Sequence, residues 1–102
     1  MKIVPLYKVV GLALEECYKG KLSDSDIQKL EEYIHKEKPD WALTFNTEVK
    51  NILVDLYPDV VEKTEEGIKE KNAYLAYQYF FKTKDREIYK LVKNFRESCV
   101  EV

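Results

Sequence analysis

Apolar residues recur at three- and four-residue steps along most of the chain, and the points where that phase breaks divide it into five predicted helices. Leu6, Val10, Ala13, Leu14 and Cys17 mark a first helix, which Gly20 and its flanking Lys19 and Lys21 can close. Ser23-Asp24-Ser25-Asp26 then offers a capping hydroxyl and first-turn acids. Ile27, Leu30 and Ile34 follow as one face of a second helix that ends before Pro39. Asn46 or Thr47 can cap a third helix bearing Val49, Ile52, Leu53 and Leu56, which stops near Tyr57-Pro58. From about Thr64, the positions Ile68, Leu75 and Tyr79 predict a fourth helix reaching Phe81. Gly67 lies inside it at a cost of about 1 kcal/mol relative to Ala. After a break at Lys82-Thr83, Ile88, Leu91, Val92 and Phe95 predict a fifth. The expected fold class is all-α.

Sliding the chain along itself by 61 residues aligns Leu12 to Ile34 with Ala73 to Phe95 at seven identities in 23 ungapped positions. Among them are Leu14/Leu75, Tyr18/Tyr79, Asp24/Asp85, Ile27/Ile88 and Leu30/Leu91. The matched apolar positions are those that face inward across a helical hairpin, and the matched acids open its second helix. This weak internal repeat predicts two similar αα-hairpin motifs, about 1–41 and 62–102, joined by a short central helix within about 42–61. All three belong to one domain.

Composition supports helices: 45% hydrophobic and 35% charged residues with three Gly and three Pro suit packed amphipathic segments better than a disordered or turn-rich β chain. Charge is spread evenly. Through Asn51 there are 8 Lys+Arg against 9 Asp+Glu, and after it 9 against 10, so neither half has the footprint of a nucleic-acid binder. Ile3 to Leu14 is apolar, but Pro5 and Lys8 interrupt it and no small-residue cleavage site follows, so it reads as part of the fold. Its longest uncharged apolar run, Val9 to Leu14, falls far short of the ~20 residues that span a bilayer. No membrane role is expected, and the expected location is cytoplasmic. Cys17 and Cys99 have no CxxC or zinc-like spacing and read as two free thiols of a reducing compartment; a bridge between them is the alternative in proteins of hyperthermophiles.

Signatures of chemistry are missing. His35 is the only histidine, so no histidine-based metal cluster or nucleophile pair can be assembled from local partners. The paired acids Glu15-Glu16, Asp24/Asp26, Glu31-Glu32 and Glu65-Glu66 read as solvated faces and caps, because neighbours on a helix point about 100° apart. No phosphate loop, GxSxG, HExxH or dinucleotide fingerprint occurs. The chain is therefore expected to be non-enzymatic, with no cofactor, no metal and no catalytic residue.

Two surface patterns point to partners. Lys82 to Arg96 carries six cations against two acids, and Asp55 to Glu70 carries six acids against two cations. A nucleic-acid reading uses Lys84, Arg86, Lys90, Lys93 and Arg96 as a basic face. The favoured structural reading has the second hairpin set Glu65 and Glu66 beside Lys93 and Arg96. Aromatics carry the stronger signal: Tyr74, Tyr77 and Phe81 form a second stripe of the fourth helix, roughly 200° from Leu75 and Tyr79. As ordinary core, that stripe packs on a neighbouring helix. As a functional surface, it lines a groove between the two motifs with Trp41, Phe45 and Tyr57. The expected function on that basis is capture of a peptide or partner segment in the inter-motif groove. Nucleic-acid association or self-assembly are the alternatives.

Heavy use of Lys, Glu and Tyr, the segment Tyr77-Gln78-Tyr79-Phe80-Phe81, and the scarcity of Gly, His and Met give the whole chain a further character. It resembles the small orphan proteins of filamentous viruses that infect hyperthermophilic archaea, of the Acidianus filamentous virus type. The resemblance rests on no motif. It implies a hot setting in the host cytoplasm and an uncharted role, and it transfers no functional residue.

Overall fold

Val9 to Leu14 carries no charge, and every residue of that run is buried. A helix buried all round must be a centre rather than a face, and the computed structural model, which describes residues 2–44, 48–82 and 85–99, places it there. The elements run β1 (Lys2–Pro5), α1 (Leu6–Glu16), β2 (Lys21–Ser23), α2 (Asp24–Glu37), β3 (Trp41–Thr44), α3 (Val49–Leu56), β4 (Val61–Lys63) and β5 (Gly67–Glu70). A short α4 (Ala73–Ala76) then passes directly into a π-helical segment (Tyr77–Phe81), and α5 (Arg86–Cys99) closes the order. Around α1 pack α2, α3, α5 and the π-helical segment.

The all-α expectation is overturned. Among the described residues, five short strands form two sheets: β1 and β3 pair in parallel, and β2, β5 and β4 form an antiparallel sheet with β5 in the middle. Two hairpin motifs joined by a central helix are overturned with it, because β2 of the first predicted motif pairs with β5 of the second, and Asp24 N–H donates to the Glu66 carbonyl across the same boundary (2.6 Å). The predicted fourth helix starts at Ala73, where the Asn72 side chain accepts from Leu75 N–H (3.1 Å), not near Thr64. Gly67 explains the difference. As a β5 residue it lies so close to β2 that a Cβ there would be driven into the Leu22 carbonyl oxygen, so the glycine serves a close strand approach rather than interrupting a helix.

Other expectations survive in place. Lys19 and Gly20 take positive φ (50° and 90°) just beyond α1. Ser23 caps α2 in a reciprocal box: its hydroxyl accepts from Asp26 N–H (3.1 Å), and its own N–H donates to the Asp26 carboxylate (3.3 Å). Asp85 caps α5 by accepting from Glu87 N–H (2.8 Å) and Ile88 N–H (3.3 Å). Glu48 stands at the N-cap of α3 with no side-chain cap bond, while the expected caps Asn46 and Thr47 lie outside the described residues. The Cys17 thiol donates to the Val92 carbonyl at 3.7 Å, joining the end of α1 to α5.

Candidate functional site

Gly11 is the residue that sets the site's depth. It sits in mid-α1, where a glycine costs helix stability, and a Cβ there would come within 2.5 Å of the Phe80 ring. Its absence lets Phe80 pack directly against α1, so Phe80 and Ala76, rather than Tyr79 and Leu75, form the inward stripe of the last helical hairpin. The turn that delivers Phe80 is widened: Lys82 N–H bonds back to the Tyr77 carbonyl at 2.8 Å, the five-residue step of a π-helix. Tyr79 is left facing outward, half exposed, against Tyr57 from the end of α3.

Between this aromatic corner and β1 opens a cleft of about 380 Å³. Phe80, Leu12 and Ile88 contribute its apolar floor, and Tyr57 and Tyr79 rise beside them with ring centroids 5.2 Å apart. Tyr57 also meets Phe80 edge-on (5.0 Å) and Tyr7 (6.2 Å). The opposite wall is all of β1, Lys2 through Pro5, and Lys8 and Asp85 complete the lining. That volume lies at the small end of the roughly 300–1,000 Å³ typical of ligand sites.

The electrostatics of the cleft are local. Lys2 Nζ reaches Asp85 (3.4 Å) and Glu87 (3.2 Å) and also lies 5.2 Å from the centre of the Trp41 ring. Partial burial works against the Lys2 charge, but Glu87 and Asp85 outweigh it and hold the ammonium above its ordinary range. Burial likewise tends to raise the Asp85 carboxyl, and the Ile88 and Glu87 N–H bonds with the Lys2 charge overcome it, leaving the group below its usual value. Burial and the neighbouring Tyr7 and Tyr79 push the Tyr57 phenol up, so it stays a neutral hydroxyl at ordinary pH. Lys8 is exposed and has no ion pair among the described residues.

The structure redistributes the residues expected to line one groove. Trp41 is buried in β3, with Lys2 and Lys38 over its ring, and serves the core. Phe45 lies outside the described residues. Tyr57 does line a cleft. Tyr74 and Tyr77 are exposed, and Tyr77 stacks on Phe81 (5.3 Å, 18°), which in turn meets Tyr89 edge-on (5.6 Å). Tyr77, Phe81 and Tyr89 thus run ring to ring away from the cleft, while Tyr79 of the same segment lines it.

On the basic face, Arg86, Lys90 and Lys93 are exposed along α5, and Lys84 lies outside the described residues. Arg96 is drawn to Glu16 of α1 (2.7 Å), whereas Glu65 and Glu66 occupy the turn between β4 and β5; the expected pairing of those acids with Lys93 and Arg96 gives way to this α1–α5 bridge.

Sequence reasoning missed β1, Gly11 and Phe80. The one signal available for them was a glycine in the middle of an otherwise apolar helix, which asks for a close neighbour. Among the described residues no group of His, Cys, Asp and Glu is placed to hold a metal ion, and no helix is long and apolar enough to cross a membrane. No family model matches the chain, and neither a curated protein nor a solved structure shows significant similarity to it.

Proposed function

We propose that this protein is a non-enzymatic binding module that captures a segment of a protein partner in the cleft between β1 and the Tyr57–Tyr79–Phe80 corner. One observation carries the reading: a cleft with an aromatic and aliphatic floor and a polar rim opens beside Tyr79 and Ile3, large apolar side chains that are both exposed. Tyrosines suit such a role because they offer a large rigid contact area and a hydroxyl that tolerates water before the partner arrives. The ionisable groups of the cleft are the Lys2–Asp85 ion pair, Lys8, and the Tyr57 and Tyr79 phenols, which can orient a ligand by charge and hydrogen bonds.

Panning a random peptide library against the folded protein tests this. Selected peptides should converge on a shared apolar pattern, bind the wild type, and lose at least tenfold in affinity for Tyr79→Ala. Tyr79 is half exposed, so that variant should keep its melting temperature. Equal binding to both proteins, or no enrichment, defeats the proposal.

The exposed row Arg86, Lys90 and Lys93, at helical spacing on α5, favours a second reading as a nucleic-acid contact. Measurable DNA binding at low salt that falls steeply as salt rises, and that weakens in Lys90→Glu, would support it; binding with no salt dependence, or none at all, removes it.

A further inference from the structure

Away from the cleft, rings and cations share one surface. Tyr74 and Tyr77 are 69% and 50% exposed, and Phe81 backs one side of the Tyr77 ring (5.3 Å, 18° between planes). Phe81 then meets Tyr89 of α5 edge-on (5.6 Å). Arg86 comes three residues before Tyr89 and Lys93 four after it, a spacing that makes both of them its neighbours on the helix surface. Lys90 stands four residues after Arg86 and three before Lys93, and Lys82 directly follows Phe81. All four cations are exposed, and none has an ion pair among the described residues. The acids at the start of α5 are engaged elsewhere, because Asp85 and Glu87 both reach Lys2. Glu97, four residues beyond Lys93, marks the end of the basic row. The chain's net charge of -2 does not cancel that row, since charges beyond about 8 Å are largely screened at physiological salt.

We infer that this face binds single-stranded nucleic acid: unpaired bases stack on Tyr77 and Tyr74 while the phosphates run along Arg86, Lys90 and Lys93. The inference rests on the second reading above, the cationic row of α5, and adds the rings that decide which form of nucleic acid the row accepts. Lysine and arginine contacts to phosphate supply affinity without reading sequence. Exposed tyrosine rings supply the rest, because every base has a flat π-face to lay on them. In a duplex those faces are already covered by the neighbouring base pairs, so only an unpaired strand can use rings and cations together. An acidic protein segment would satisfy the cations but has fewer planar groups to set on Tyr77 and Tyr74. Stacking and phosphate contact both ignore the sugar, so DNA and RNA strands are equivalent occupants.

The test measures binding of the folded protein at low salt to a short oligothymidylate, an oligouridylate, an abasic strand and a duplex of the same length, and to polyglutamate. Stacking predicts that the two base-bearing strands bind within about threefold of each other and at least fivefold tighter than the abasic strand or the duplex. Tyr77→Ala should lose at least fivefold on oligothymidylate with its melting temperature kept, since half of that residue is exposed. Tyr77→Trp should restore the affinity, and the emission of the new indole should be quenched as the strand binds. Lys90→Glu should lose at least tenfold and flatten the salt dependence. Equal binding to strand, abasic strand and duplex, lost in Lys90→Glu but kept in Tyr77→Ala, overturns the stacking inference and leaves the cationic contact standing. No binding to any nucleic acid overturns the two together. A tenfold preference for one sugar overturns the equivalence of DNA and RNA. Polyglutamate bound as tightly as oligothymidylate would give the face to an acidic protein and overturn the partner as stated.

Discussion

Leu12 to Ile34 and Ala73 to Phe95 share seven identities, yet the first helix of the first stretch is far more deeply covered than its counterpart in the second. Ala13 is fully buried and its counterpart Tyr74 is 69% exposed; Glu16 spends its carboxylate on Arg96, while its counterpart Tyr77 stacks along its own helix on Phe81. In the second helix of each stretch the correspondence holds: Ile27, Leu30 and Ile34 are buried, and so are Ile88, Leu91 and Phe95. The shared pattern therefore sets which face of a helix turns inward. It does not set how many neighbours cover that helix, and this is decided by what the rest of the chain brings alongside. Around α1 it brings α2, α3, α5 and the π-helical segment; beyond the α4 turn that leads into it, the π-helical segment has α1 as its main neighbour.

The most damaging way to probe the shared half of the comparison is Leu30→Ala beside Leu91→Ala. Both side chains are buried, and each truncation should cost about 2–5 kcal/mol by lost burial and the cavity left behind. Denaturant unfolding should show losses of comparable size. A cost below about 1 kcal/mol at Leu91 alone would mean that the second stretch is not anchored as the first is. Next in size is Gly11→Ala. It gains roughly 1 kcal/mol of helix propensity but drives a methyl into the Phe80 ring, an overpacking that typically costs about 1–3 kcal/mol, so a net loss is expected. In the Phe80→Ala background the same substitution should become stabilising. That reversal of sign in a double-mutant cycle is the signature of the close approach.

Sequence periodicity reached the helical faces because they are long: Leu6 to Cys17, Ile27 to Ile34 and Ile88 to Phe95 each offer two or more turns of consistent phase. The strands are three or four residues long, too short for alternation to register. Each was absorbed into its neighbour: β1 into the apolar approach to the first helix, β3 into the connecting region, and β4 and β5 into the connecting region and the fourth helix. Gly67 and the β-branched Val60, Val61 and Ile68 were the local signals for that second sheet, but its partner β2 lies more than forty residues away, beyond any local pattern. The candidate site was half legible for the same reason. Tyr57 was identified and lines the cleft, because an aromatic at a helix end stands out. The wall opposite is a strand, and Trp41, the most conspicuous interface residue by type, turned out to be needed in the core.

Smaller effects separate the two caps. Ser23→Ala and Asp85→Ala should each cost about 0.5–2 kcal/mol, since each removes the side-chain acceptor of a helix N-terminus. Only the second should carry a marked acid dependence. The Asp85 carboxyl is held below its ordinary value of 3.8 in the fold, so its stabilising contribution is complete above that pH and is lost as pH falls through the lower folded value. The stability gap between wild type and Asp85→Asn should therefore shrink on acidification below about pH 4. A gap that stays constant to pH 2 would show that the carboxylate charge is not what the cap uses.

The smallest expected effect tests the exposed half of the comparison, and its sign matters more than its size. Glu15 corresponds to Ala76, and both lie on the inward-leaning side of their helices; but Glu15 carries a carboxylate oxygen shut off from solvent with no hydrogen-bond partner among the described residues. A buried acceptor left unpaired is destabilising, and replacing it with an apolar group of similar shape removes that burden. Glu15→Met, which keeps the length of the side chain, should therefore raise stability by roughly 1 kcal/mol, while Tyr74→Ser at the most exposed aromatic should leave it within about 0.5 kcal/mol. If thermal unfolding instead shows Glu15→Met to be destabilising and Tyr74→Ser to be costly, then the outer aromatic stripe is structural after all, and the two stretches are more alike than their exposures indicate.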